Sequence, residues 1–129
     1  SRHNELRDKV AEIGAWLGFE ADIEKTIAPG TKLDVSWTTH IGNLGSVAYV
    51  FEVQDKGSID SLLLNLQRAQ SNPIVQKLIV VSDSAQIEKI KKESTALPEA
   101  FKRSISYWDA DEVDSTHEHL GQVSTSIAK

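Results

Sequence analysis

The hydrophobic positions divide the chain into helical and extended stretches. From Asn4 to Leu17, Leu6, Val10, Ile13 and Leu17 fall on one helical stripe, and Gly18 follows as a stop signal. Phe19, Ala21, Ile23 and Ile27 then recur at even spacing against Glu20, Asp22 and Glu24, the pattern of a half-buried strand, until Ala28-Pro29-Gly30 turns the chain. Lys32 to Trp37 alternates again, and Gly42 to Ser46 is a loop into the apolar run Val47 to Gln54. Three successive strands of this kind predict an antiparallel meander.

Asp55-Lys56-Gly57 ends the third strand and Ser58 is a plausible N-cap. Ile59, Leu62, Leu63, Leu66 and Ala69 mark a helix that stops before Pro73. Leu78-Ile79-Val80-Val81 is continuously apolar, as in a strand covered on both faces, and its approach through a helix makes it parallel to the third strand. Residues 85–93 read as a lysine-rich helix, 98–103 as a short one, and 104–108 as an edge strand. The expected fold is α/β: an αβββαβ core whose mixed central sheet is flanked by helices, with one more helix and strand.

A length of 129 residues suits a single domain with one core, and 40% hydrophobic with 26% charged residues is ordinary for a globular chain. The absence of cysteine excludes disulfides, cysteine-held zinc and a cysteine nucleophile. No apolar run reaches the roughly 20 residues that span a bilayer, and a cytoplasmic location is the default expectation. With no methionine and Ser1 at its start, the chain is expected to be a domain cut from a longer protein, so other domains, or a second copy in a homodimer, are expected partners.

The net charge of −5 argues at first against a phosphate-binding surface. Five of the 19 acids (Asp109, Asp111, Glu112, Asp114 and Glu118) fall in an acidic C-terminal segment, residues 109–129, where Lys129 is the only base. The remainder is nearly neutral, and a metal ion held by some of its acids would shift the balance further. No Gly-x-Gly-x-x-Gly after a strand, no GKS or GKT loop and no Gly-x-Ser-x-Gly elbow is present, which removes support for nucleotide-loop and serine-hydrolase functions.

The chemistry concentrates on two strands. Period-two geometry places Asp34 opposite Leu33, Val35 and Trp37, and places Glu52 and Gln54 opposite Tyr49, Phe51 and Val53. Adjacent antiparallel strands bring the two acids together. Converging carboxylates repel unless a hard cation joins them, and Mg²⁺ takes one or two carboxylates together with water and phosphate oxygens. Such an ion serves phosphodiester hydrolysis by neutralising charge on the phosphate and acidifying water.

The αβββαβ order, the acid on the second strand and Glu-x-Gln on the third resemble the PD-(D/E)xK, or restriction-endonuclease-like, nuclease superfamily over roughly residues 4–82. The resemblance implies a metal-dependent deoxyribonuclease domain, of a restriction or DNA-repair protein, in which Asp34 and Glu52 bind Mg²⁺ or Mn²⁺ and DNA is the partner. Gln54 stands where the family has a lysine that positions or activates water, and Lys32, which shares strand parity with Asp34, is the preferred substitute ahead of Lys56. By the same resemblance an acid of the first helix, Glu12 ahead of Glu5, and a glutamine of the later helix, Gln67 ahead of Gln70, complete the expected site. The alternative is a catalytically inactive module of the same fold that binds DNA or a protein partner. A small-ligand-binding α/β fold is a third reading, and a wholly parallel sheet would mark it. His117-Glu118-His119 offers too few donors for zinc.

Overall fold

The computed structural model describes residues 1–128. Helix α1 (Arg2–Trp16) leads into strands β1 (Glu20–Ala28), β2 (Thr31–His40) and β3 (Ser46–Val53), then α2 (Ile59–Gln70), β4 (Val75–Ser82), α3 (Ser84–Glu93), α4 (Glu99–Ser104), β5 (Ile105–Asp109) and α5 (Ala110–Ala128). The sheet has the order β1-β2-β3-β4-β5. β1, β2 and β3 pair antiparallel, whereas β3, β4 and β5 run parallel through helical crossovers. The protein is therefore an α/β fold with a mixed five-stranded sheet between helices, and the sheet is not wholly parallel.

Local chemistry accounts for the boundaries. The Ser1 hydroxyl caps α1 at the Asn4 N–H, Ser58 caps α2 at Ser61, and Asp83 caps α3 at Gln86, each answering an N–H that the first helical turn leaves unpaired. Gly18, at φ +97°, takes the left-handed conformation that turns the chain out of α1. The acidic C-terminal segment is a 19-residue helix, whose first half buries Ala110 and Val113. None of the described helices is long and apolar enough to cross a membrane.

The sheet separates two cores. On one side Val50, Leu78, Val80 and Ile105 meet Leu62, Leu66 and Ile90 of α2 and α3. On the other, Val35, Trp37, Phe51 and Val81 meet Leu6, Val10 and Ile13 of α1 and Val113 of α5. Gly14 allows close contact there, because a Cβ at that position would lie 2.2 Å from Nε1 of Trp37.

One expected regularity fails. Leu33 packs into the α2-side core, while Val35 and Trp37 pack into the α1-side core, so the two-residue alternation of β2 breaks at Asp34. The neighbouring strand breaks with it. In the β1–β2 register Ile23 faces Val35 and Lys25 faces Leu33; between them Glu24 is at φ +53°, the only positive value for a non-glycine among the described residues. Ile23, expected in the core, is 46% exposed as a result.

Candidate functional site

The β2–β3 backbone ladder runs from His40 opposite Ser46 to Val35 opposite Phe51. At the next pair, Asp34 and Glu52, side chains replace backbone partners. The Asp34 N–H donates to Oε1 of Glu52 at 2.9 Å, and the Val53 N–H donates to Oδ2 of Asp34 at 2.7 Å. Each acid is thus fixed by the backbone of the strand carrying the other. Sheet amides must find an acceptor when buried, and these two find carboxyl oxygens.

The pair is electrostatically tense. Burial, then the charge of Asp34, then a carboxylate-to-carboxylate hydrogen bond push Glu52 up to about 8. Without a cation, the protonated form of Glu52 is accordingly favoured well above the usual carboxylate range. Asp34 is less enclosed, at 16% side-chain exposure, and its Oδ1 lies 3.2 Å from Nε2 of His3. Arg7, one turn along α1 from His3, is held by Asp8 at 3.0 Å and Glu24 at 3.3 Å, and its positive charge is felt by Asp34.

His3 and Arg7 are absent from the sequence-based site. The available signal was their spacing of four, which puts a histidine and an arginine on one face of the first two turns of α1. The acids expected from this helix lie elsewhere. Glu12 pairs with Nε2 of His117 on α5 at 3.5 Å, and Glu5 pairs with Arg2 at 2.8 Å and Lys9 at 3.1 Å, in a network that extends to Asp114 of α5. Both are taken up by the α1–α5 contact.

The remaining expected members stand apart from the acid pair in this conformation. The Gln54 side chain is buried, and its Nε2 donates to the Gly57 carbonyl at 3.3 Å, closing the turn after β3. Lys32 is exposed in the β1–β2 hairpin, opposite Thr26. Gln67 is exposed on α2, on the side away from the buried Leu62, Leu63 and Leu66. His117 and His119 lie two apart on a helix, which turns them to different faces, and His117 stacks on Trp16 with centroids 4.9 Å apart.

Among the described residues no group of three or more histidine, cysteine, aspartate or glutamate side chains is placed to hold a metal ion. Asp34 and Glu52 form a two-carboxylate site with one oxygen each committed to a strand amide. That donor set fits Mg²⁺ or Mn²⁺, whose remaining positions are filled by water and substrate oxygens, and does not fit the all-protein cages of structural zinc or calcium. Comparison with protein-family models, curated proteins and solved structures gives no match to this chain.

Proposed function

We propose that the protein is a metal-dependent deoxyribonuclease domain of the restriction-endonuclease-like type, which hydrolyses phosphodiester bonds at Asp34 and Glu52. The observation that carries this reading is the carboxylate pair itself: two acids on adjacent strands, each oriented by the other strand's amide, with one held well above its ordinary proton affinity. Such tension between neighbouring acids is typical of working sites. A bound Mg²⁺ supplies positive charge for the scissile phosphate and acidifies its water.

The chain's own groups then have distinct tasks. Asp34 and Glu52 would hold the ion, their carboxyl groups already oriented by the strand amides. Arg7 puts positive charge near Asp34, where an approaching phosphate adds a negative one, and His3 sets a ring nitrogen 3.2 Å from Asp34 Oδ1. DNA binding would rest on groups of this kind, on a chain of net charge −5.

The test is incubation with plasmid, single-stranded and branched DNA in Mn²⁺ or Mg²⁺, alongside calorimetric metal titration. The reading expects cleavage that falls at least a hundredfold in Asp34→Ala and Glu52→Gln, and metal binding near pH 7 that releases about one proton as Glu52 ionises. Cleavage indifferent to both substitutions, or no carboxylate-dependent metal binding, overturns it. A second reading, an inactive module of the same fold that binds DNA or a protein, is favoured by one observation: the Gln54 amide is spent on the Gly57 carbonyl, with no lysine in its place. Metal binding without cleavage of any of these substrates would select it.

A further inference from the structure

On the α1 side of the sheet, along the middle and acid-proximal part of the β2–β3 ladder, lies a cavity of about 460 Å³. The strand register explains its walls. Trp37, Tyr49 and Lys77 form one cross-strand row on β2, β3 and β4, and Phe51, Ile79 and Ser106 form the next. Trp108 of β5 closes the side, its ring nearly perpendicular to that of Trp37, at 84° with centroids 6.1 Å apart. The C-terminal part of α1 and residue Thr116 of α5 form the rim.

Two features select an occupant. The lining is aromatic and aliphatic: Trp37 is buried at the base, stacked on Phe19 at 5.4 Å, while the half-buried rings of Trp108 and Tyr49 offer surface to a flat ring. Among the described residues its only charged side chain is Lys77, and no aspartate or glutamate lines it, although the whole chain carries 19 acids against 14 lysines and arginines. A cation held free of carboxylates in an acidic protein complements an anion. The volume is within the range of small-molecule sites and accommodates a base with its sugar and phosphate.

We propose that this cavity binds a nucleotide unit, with the base stacked on Trp108 and the phosphate on Lys77. The inference goes beyond the acid pair and needs no metal ion. The same chemistry is offered by a free nucleotide and by an unpaired nucleotide of a strand. For a strand held at both places, α1 is a ruler: His3 lies at the acid pair and Ile13 at the cavity, ten residues or roughly 15 Å of helix apart.

The test is tryptophan fluorescence titration in EDTA, with deoxynucleoside monophosphates in one arm and short single-stranded oligothymidylate in the other. Saturable quenching is expected in at least one arm, and the arm that responds names the source. Lys77→Glu is expected to weaken binding at least tenfold, with a flatter salt dependence. Trp108→Leu should weaken it comparably and Trp108→Phe far less, with circular dichroism confirming the fold of each. No saturable quenching in either arm, or affinities unchanged by Lys77→Glu and Trp108→Leu, would overturn the proposal. Because EDTA removes divalent ions, that failure leaves carboxylate-dependent metal binding at Asp34 and Glu52 as a separate measurement.

Discussion

From Thr38 to Val35, β2 pairs with β3 as an ordinary antiparallel ladder; one residue further on, at Asp34 and Glu52, strand amides are answered by carboxylates. In the first region backbone donors and acceptors satisfy each other, so Trp37 and Phe51 are free to build a core with α1. In the second, the side chains do the backbone's work. A carboxylate held this way is positioned as firmly as the sheet itself, and it carries its charge into a partly buried place. The contrast shows how one strand pair divides into a segment that builds core and a segment that carries carboxylates without any change of element.

The regular segment is the part whose loss should be most damaging. Phe51 is 2% exposed and meets both Trp37 and Trp108, so Phe51→Ala is expected to cost about 3–5 kcal/mol in urea unfolding. A loss below about 1 kcal/mol would mean that the aromatic row is not the mainstay of this face.

The acid segment should announce itself through pH. With Glu52 raised to about 8 against an ordinary 4.5, the folded protein keeps between these values a proton that the unfolded chain has lost. Unfolding then releases a proton, so the contribution of Glu52 to stability is most favourable below about 4.5, falls as pH rises toward 8, and levels above it, with a slope of up to about 1.4 kcal/mol per pH unit. Glu52→Gln should flatten that slope in metal-free buffer, and Mn²⁺ should flatten it in the parent by favouring the ionised form. A slope that survives Glu52→Gln would assign it to other groups.

Gly14 probes how tightly the regular segment is closed. Glycine to alanine in mid-helix ordinarily stabilises by about 0.5–1 kcal/mol. Here the new methyl would fall 2.2 Å from Nε1 of Trp37, a rigid ring whose N–H donates to the Val10 carbonyl at 3.0 Å. Gly14→Ala is therefore expected to destabilise by about 1–3 kcal/mol and to shift the tryptophan emission. A stabilised variant would show that α1 can lift from the sheet at little cost.

The two segments also differ in how visible they were beforehand. Alternation in Lys32–Trp37 and Val47–Gln54 was enough to set Asp34 and Glu52 on neighbouring strands, because regular strands obey a period of two. The break at Asp34 left no such mark: a left-handed residue is normally signalled by glycine or asparagine, and here it is Glu24. The helix of residues 110–128 was equally hard to read, since Val123 and Ile127 of its apolar positions remain exposed, at 53% and 78%. That missing helix also explains the assignment of Glu5 and Glu12 to the acid pair. Without α5, nothing indicated that Asp114 with Arg2 and Lys9, and His117, would occupy that flank of α1.

The smallest expected effect lies at the junction of the two segments. An L-residue in the left-handed region gives up about 1–2 kcal/mol, which Glu24→Gly recovers. Against this stand the greater freedom of glycine in the unfolded chain, about 0.5–1 kcal/mol, and the exposed Arg7–Glu24 ion pair, worth a few tenths at most. The balance is a gain of about 0.5 kcal/mol or less, readable as a shift in the urea midpoint at constant slope, whereas Glu24→Ala keeps the strained backbone and loses the pair. Metal affinity gives the result its meaning. If Glu24→Gly stabilises the fold but weakens carboxylate-dependent Mn²⁺ binding, the left-handed residue opposite Asp34 helps to hold that acid in place, and the strain belongs to the site. If it stabilises the fold and leaves binding untouched, the Glu52 and Val53 contacts alone position Asp34, and the contrast between the two segments lies wholly within β2 and β3.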